Sequence, residues 1–312
     1  MISTPALRIG TRGSPLALAQ TEEVRADLVA AHPGLARPGT VEVVVIKTTG
    51  DKVFDRPLSD IGGKGLFTKE IDDAMLDGRI DMAVHSMKDL PTWLPDGIVL
   101  VSMLRREDPR DALISPGAGS LAELPTGAVV GTSSLRRKAQ VLNRRPDLKV
   151  VEFRGNVQTR LRKLKEGRAD ASLLALAGLK RLGITDAATA VIETDDILPA
   201  VGQGAIGITC RAGDRRARDH AAGLDHAETM TRVAAERAML EVLEGSCRTP
   251  IAGLAEFTGD GVLALRGLIA RPDGSEVIET TRSGAAAAAA AMGRDAGDEL
   301  RRRGGSGFFD TP

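Results

Sequence analysis

The chain has 312 residues, 42 Lys and Arg against 42 Asp and Glu, and a hydrophobic fraction of 42%. At about 100–200 residues per domain this length implies two to three domains, and the apolar fraction excludes disorder along the whole chain. A formal net charge of zero, with six Phe, one Trp and no Tyr, argues against a basic nucleic-acid coat and leaves few rings for bases to stack on.

In chain order, Leu7-Arg8-Ile9 reads as a strand, and Ser14-Pro15 as the cap and first residue of a helix carrying Leu16, Leu18, Val24 and Leu28. Val41 to Ile46 is predicted as a second strand, and Phe67 to Leu76 as a second helix ended by Gly78. Ile80 to Val84 and Ile98 to Val101 follow as strands. This alternation indicates α/β layers with a largely buried sheet. The pattern then repeats. Gly10-Thr11 with Ala19-Gln20 matches Gly131-Thr132 with Ala139-Gln140, 121 residues later. Gly78-Arg79-Ile80-Asp81 matches Gly167-Arg168-Ala169-Asp170, 89 residues later. A duplication of this kind implies two similar α/β lobes with a cleft between them, where ligands commonly sit.

After residue 220 the texture changes. Ala227 to Leu243 is predicted as a helix, and Ile251 to Phe257, Val262 to Ala270 and Glu276 to Arg282 as a three-strand meander. Gly284 to Arg303 reads as a final helix, its seven alanines Ala285 to Ala291 being strong helix formers. Arg301-Arg302-Arg303 suits the negative end of that helix. Gly304 to Pro312 is expected to fray.

Gly202-Gln203-Gly204-Ala205-Ile206-Gly207 matches a dinucleotide fingerprint letter by letter, but that fingerprint needs a strand before it and a helix after it. Leu198-Pro199-Ala200 precedes it and Ile206 to Cys210 reads as a strand, so nucleotide binding is not expected. Gly62-Gly63-Lys64-Gly65 lacks the spacing of a P-loop. It is either a turn that touches an anion or a solvated one.

The strongest electrostatic signal lies between Gly131 and Arg168, where twelve Lys and Arg face three acids, a net +9. Gly131-Thr132-Ser133-Ser134 follows a strand and opens a helix, so hydroxyls and free backbone N–H groups make an anion seat. Arg154-Gly155-Asn156 repeats the arrangement, with Asn156 as the expected cap. Arginine forks suit carboxylates or phosphates, so Arg136, Arg137, Arg154 and Arg160 point to a polyanionic ligand. Arg162, Lys163 and Lys165 read as the wet face of a helix.

His85-Ser86-Met87-Lys88-Asp89-Leu90-Pro91 leaves the strand ending at Val84. A carboxylate beside a lysine at a strand's C-terminal edge is either a reactive pair or a surface ion pair. No spaced set of His, Cys and acids suggests a metal site. The two cysteines, Cys210 and Cys247, cannot build a disulfide framework and fit a reducing compartment. No basic-then-apolar leader opens the chain, and no run approaches the roughly 20 apolar residues that span a bilayer, so a cytoplasmic protein is expected. Cys210, in an apolar strand, reads as inert. Cys247, in Glu244-Gly245-Ser246-Cys247-Arg248-Thr249-Pro250, is either a loop thiol or a nucleophile or tether beside Arg248.

Taken together, these stretches resemble the porphobilinogen deaminase (hydroxymethylbilane synthase) family. The matching residues run from Thr11-Arg12-Gly13-Ser14-Pro15-Leu16-Ala17-Leu18 through Gly62-Gly63-Lys64-Gly65-Leu66-Phe67-Thr68-Lys69-Glu70 and Ala83-Val84-His85-Ser86-Met87-Lys88-Asp89-Leu90-Pro91. They continue through Gly131-Thr132-Ser133-Ser134-Leu135-Arg136-Arg137, Arg154-Gly155-Asn156 and Leu198-Pro199-Ala200-Val201-Gly202-Gln203-Gly204 to the cysteine loop.

The resemblance implies a transferase of tetrapyrrole and heme (porphyrin) biosynthesis. It would join four porphobilinogen units head to tail into hydroxymethylbilane, releasing ammonia at each step. The chain would grow on one covalent dipyrromethane cofactor, held by a thioether to Cys247. The resemblance carries over Asp89 as the catalytic aspartate. Lys88, Thr132, Ser133, Ser134, Arg136 and Arg137 become contacts to cofactor carboxylates, and Arg12, Ser14, Arg154, Arg160, Arg181 and Gln203 substrate contacts. Asp60 stands where some family members place a lysine, and Ser246 where a glycine often precedes the cysteine.

The implied fold is α/β in three domains. Two similar lobes resemble type II periplasmic binding proteins, and a smaller α+β C-terminal domain carries a three-stranded antiparallel sheet. The expected limits are 1–104 with 200–221, 105–199, and 222–312. Porphobilinogen would be the small-molecule partner of a monomer that binds neither nucleic acid nor membrane. The competing reading is a non-enzymatic two-lobed anion-binding protein, which gives no task to Cys247 or Asp89. A nucleic-acid binder using the +9 segment is disfavoured by the few aromatics and by a last third holding 10 Lys and Arg against 14 Asp and Glu.

Overall fold

A computed structural model of the chain describes residues 7–51, 68–245 and 249–309. Asp60, the Gly62–Gly65 turn, Ser246 and Cys247 lie outside the described residues. The rest divides into two compact units. One contains residues up to Arg106 together with Ala205–Met230, and the other contains Glu107–Gly204 together with Thr231 onward.

The first unit begins with β1 (Leu7–Arg12), α1 (Pro15–Ala31), β2 (Val41–Ile46), α2 (Lys69–Leu76), β3 (Met82–Ser86) and β4 (Ile98–Met103). The second unit follows with β5 (Asp111–Ile114), β6 (Val129–Gly131), α3 (Leu135–Arg144), β7 (Lys149–Val151), α4 (Val157–Lys165), β8 (Ala171–Ala175), α5 (Leu176–Arg181) and β9 (Ala190–Ile192). The chain then supplies β10 (Ile206–Arg211) and α6 (Arg215–Ala222) to the first unit. It ends with α7 (Ala227–Val242), β11 (Ile251–Phe257), β12 (Val262–Ala270), β13 (Val277–Ala285) and α8 (Ala289–Gly304).

The two five-stranded sheets have the same topology. Their orders are β2-β1-β3-β10-β4 and β7-β6-β8-β5-β9. In each, the first three strands are parallel, and the fourth (β10 or β5) runs antiparallel to both neighbours. The match extends to single atoms. Asp81 N donates to Arg8 O at 2.9 Å, and Asp81 Oδ2 accepts from Arg8 N at 2.9 Å. Asp170 makes the same pair with Val129, at 2.8 and 2.7 Å. Before each aspartate a helix ends at a left-handed glycine, Gly78 at φ +75 and Gly167 at φ +70, a conformation that favours a residue without Cβ. The sequence repeat is therefore a structural one, two similar lobes.

Local chemistry explains the helix starts. Ser14 caps α1 by accepting from Ala17 N at 3.3 Å, with Pro15 next, and Ser134 and Asn156 cap α3 and α4. Each lobe buries its own apolar cluster. The first gathers Leu7, Ile9, Val24, Leu28, Met82, Ile206 and Ile208, and the second Leu113, Val130, Val141, Leu173 and Ile197.

The last three strands form an antiparallel sheet in the order β11-β12-β13, and Leu263, Leu265, Leu300 and Met239 bury a core between it and the helices. Each such leucine contributes about 2–3 kcal/mol by leaving water. The alanine run departs from expectation. Ala285 closes β13 opposite Val262, Ala286–Ala288 make a 3-10 turn, and α8 starts only at Ala289. Pairing with β12 outweighs helix propensity there. Among the described residues no helix is long and apolar enough to cross a membrane.

Candidate functional site

Lys88 and Asp89 occupy a short 3-10 turn, Met87–Asp89, at the C-terminal end of β3. The residues around them fix that turn. Ser86 Oγ accepts from Gln20 Nε2 at 2.8 Å and donates to Gln20 Oε1 at 3.0 Å, tying the strand end to α1. His85 Nε2 lies 2.9 Å from Thr209 Oγ1 on the neighbouring β10. Met87 N donates to Ala205 O at 3.0 Å, and the Met87 side chain is buried. A Cβ on Gly207 would lie 2.2 Å from Met87 Sδ, so glycine leaves room for the thioether where it sits. The consequence is a half-buried Lys88 and Asp89 between buried Met87 and Leu90. Arg12 ends β1 and Ser14 caps α1 in the same unit, both half-buried.

In the second unit, Thr132, Ser133 and Ser134 link β6 to α3. Thr132 Oγ1 accepts from Ser134 N at 3.2 Å, Ser133 Oγ from Phe153 N at 3.2 Å and Ser134 Oγ from Arg137 N at 3.4 Å. Arg136 and Arg137 follow, each 5% exposed. Both grip Asp111, a residue that the sequence reading did not single out. Arg136 Nη2 reaches Oδ2 at 2.8 Å, and Arg137 holds the carboxylate with Nη2 on Oδ1 at 2.7 Å and Nε on Oδ2 at 3.1 Å. Arg136 Nη1 and Arg137 Nη1 donate to Leu198 O and Leu173 O. Gln203, 1% exposed, donates through Nε2 to Asp111 Oδ1 at 2.8 Å and to Pro109 O at 2.7 Å.

Burial alone would raise the Asp111 carboxyl. The charges of Arg136 and Arg137, with hydrogen bonds from Arg137 and Gln203, outweigh it and hold the group well below the usual carboxylate range. Burial, with the like charge of Arg137, lowers the Arg136 guanidinium against the pull of Asp111. Arg136 Nε is buried without a partner.

The next strand-to-helix turn carries Arg154. Arg160 Nε donates to Gly155 O at 2.9 Å, and Lys163 Nζ donates to Arg154 O at 2.9 Å while lying 5.6 Å from the Phe153 ring centroid. Lys163 therefore braces this turn instead of lining a wet face, whereas Arg162 and Lys165 are exposed as expected. Arg181 Nη2 donates to Gly204 O at 3.1 Å. A strand, not a helix, follows Gly202-Gln203-Gly204, so the dinucleotide fingerprint lacks its context.

A second residue missed by the sequence reading is Glu236, fully buried on α7. Its two oxygens accept from Gly202 N at 2.7 Å and Ala255 N at 2.8 Å. Both omissions carried a faint signal: Asp111 is the charged residue of the apolar strand Asp-Ala-Leu-Ile, and Glu236 shares a helix stripe with Val233 and Met239. Near the cysteine loop, Glu244 stands at φ +50, the one non-glycine with positive φ among the described residues. Cys210 is buried, and its thiol is pushed up to about 11, chiefly by burial. That agrees with an inert role.

Residues 7–219 match the family description "Porphobilinogen deaminase, dipyromethane cofactor binding domain", and residues 230–302 match "Porphobilinogen deaminase, C-terminal domain". The chain is 60% identical over 307 residues to the chloroplastic porphobilinogen deaminase of Oryza sativa subsp. japonica, covering 98% of this chain and 86% of that one. It is 59% identical over 304 residues to the porphobilinogen deaminase of Paracoccus denitrificans, covering 97% and 96%. Among solved structures, the methionine-binding protein MetQ aligns with 75% of this chain and 95% of its own at 15% identity and a TM-score of 0.45. On the strength of the two family descriptions and the two relatives, this chain belongs to the porphobilinogen deaminase family.

Proposed function

We propose that this protein deaminates porphobilinogen and condenses four molecules head to tail into hydroxymethylbilane, releasing ammonia at each step, on a dipyrromethane primer held by Cys247. The observation that carries this reading is the match of residues 7–219 to the family's cofactor-binding domain, the stretch that holds Lys88, Asp89, Thr132, Ser133, Ser134, Arg136 and Arg137. When bound, the primer supplies a pyrrole carbon that attacks the incoming unit.

The residues fit an anionic group of this kind. Each pyrrole unit brings an acetate and a propionate, so the chain gains negative charge with every addition and needs arginine to be held out of water. Two arginines on one aspartate leave the buried Asp111 cluster at a net +1, with Arg136 Nε unmet. In our reading, Lys88 and the Thr132–Ser134 turn take cofactor carboxylates alongside Arg136 and Arg137. Arg12, Ser14, Arg154, Arg160 and Arg181 take those of the substrate, and Gln203 acts on that set through Asp111. Asp89 offsets the positive charge that develops on pyrrole nitrogen as ammonia leaves, and it assists proton transfer there. A fixed carboxylate does this without reorganising at the moment of reaction.

The three sheets support domain limits at 1–104 with 200–221, 105–199 and 222–312. We also take the enzyme to work in the cytoplasm, a reading supported by the two cysteines in 312 residues, which fit a reducing compartment.

Intact-protein mass tests the function. Protein made in cells that supply porphobilinogen should carry the added mass of two pyrrole units, and Cys247→Ser should not. An unmodified wild-type chain from such cells would overturn the enzyme reading and leave the two-lobed anion binder.

A further inference from the structure

Asp111 opens β5 with no exposure to solvent, and its two oxygens receive four N–H donors. Oδ1 takes Arg137 Nη2 and Gln203 Nε2, and Oδ2 takes Arg136 Nη2 and Arg137 Nε. Those donors come from 25, 26 and 92 residues away along the chain. A carboxylate so saturated has no lone pair left for chemistry, so its effect is exerted through the groups it holds.

That effect is twofold. Without Asp111 two guanidiniums would be buried side by side with no counter-ion, a cost of several kcal/mol per charge. With it, Arg137 is locked by a two-point fork, and Arg136 is held by Asp111 and Leu198 O while its Nε stays unmet. The cluster keeps one net positive charge directly behind the Thr132–Ser134 turn at the start of the ten-residue α3.

We infer that Asp111 is a positioning residue for anion capture: it fixes Arg136 and Arg137 so that the pair presents one net positive charge to a primer carboxylate arriving at the Thr132–Ser134 turn. This inference rests on the proposed function. Gln203 completes the arrangement by filling the last acceptor site on Asp111 and anchoring it to Pro109 O.

The test follows primer loading, not turnover. Wild type, Asp111→Asn and Asp111→Glu are made as full chains in cells lacking porphobilinogen, checked for folding by circular dichroism, then given porphobilinogen while intact mass is followed. In Asp111→Asn the concentration for half-maximal loading should rise about tenfold, the worth of one charge-assisted hydrogen bond, with the limiting rate within about twofold. A purely structural lesion would lower the limiting rate and leave half-saturation where it was, and that result overturns the inference. Asp111→Glu keeps the negative charge and both arginines but displaces the carboxylate from its two-point grip. Should Asp111→Asn fail to fold, Asp111→Glu decides: the same rise supports the inference, and wild-type half-saturation overturns it. If wild type itself gains no mass, the proposed function fails. If wild type loads and both variants match it, only the role of Asp111 fails.

Discussion

Asp89 owes its position to its neighbours. Gln20 holds Ser86, Gly207 makes room for Met87, and the intervening strand β3 is locked between β1 and β10. Removing the carboxylate therefore should leave the fold intact while removing the charge that we propose faces the reaction. Asp89→Ala should lower turnover by about 10²–10³ or more at an unchanged melting temperature. Near-normal turnover would take Asp89 out of the mechanism. Asp72, in the first turn of α2, follows a different logic. Burial pushes its carboxyl up to about 6 against a hydrogen bond from Thr68, and its Oδ1 is buried without a partner. The folded chain holds that proton more tightly than the unfolded chain does. Its contribution to stability is thus complete below about pH 4 and lost as pH rises through the folded value. Asp72→Asn cannot ionise, so it should be more stable than wild type by about 2 kcal/mol at about pH 7.5, with the gap closing toward about pH 4. Melting temperatures across that range check it, and a gap independent of pH would refute it.

Among the elements, caps and breaks were legible because their causes are local. Ser14 with Pro15, Asn156 and Gly78 all act within one helical turn, and each does in the structure what its chemistry dictates. The alanine run departs from its local propensity for the complementary reason: Ala285 pairs with Val262 of β12 and Ala286–Ala288 turn the chain, so the end of that pairing decided where α8 begins. Glu236 shows the same dependence. The segment that follows Leu198 runs along the free edge of β11, with Gly253 N on Pro199 O at 3.0 Å and Glu236 joining Gly202 N to Ala255 N. This covers an edge that would otherwise present unpaired amides. In Glu236→Gln one oxygen becomes an NH₂ facing an N–H, so one buried donor loses its acceptor. Urea denaturation should show a loss of about 3 kcal/mol. An unchanged midpoint would mean that both amides find other acceptors.

Over the whole molecule, the balance of 42 positive and 42 negative charges conceals a partition. A net +9 lies between Gly131 and Arg168 and a net −4 from residue 222 onward. With no overall charge, capture of a polyanion depends on short-range arginine contacts, which salt screens within about 8 Å at physiological ionic strength. Raising salt from about 0.05 M to about 0.5 M should therefore raise KM for porphobilinogen with kcat nearly constant. A salt-independent KM would count against arginine capture. The sequence by itself determined the α/β class, the duplicated lobe, the late three-strand meander, the helix caps and the family, because periodicity, capping and motif order are local properties written into short stretches. It also pointed to a basic, anion-seeking segment. Only the tertiary structure decided that Arg136 and Arg137 are buried on Asp111 and that Lys163 braces the Arg154 turn. It also decided that Glu236 bridges two backbone amides from different segments. Each of those outcomes joins residues far apart in the chain or sets a degree of burial, and neither is fixed until the chain has folded.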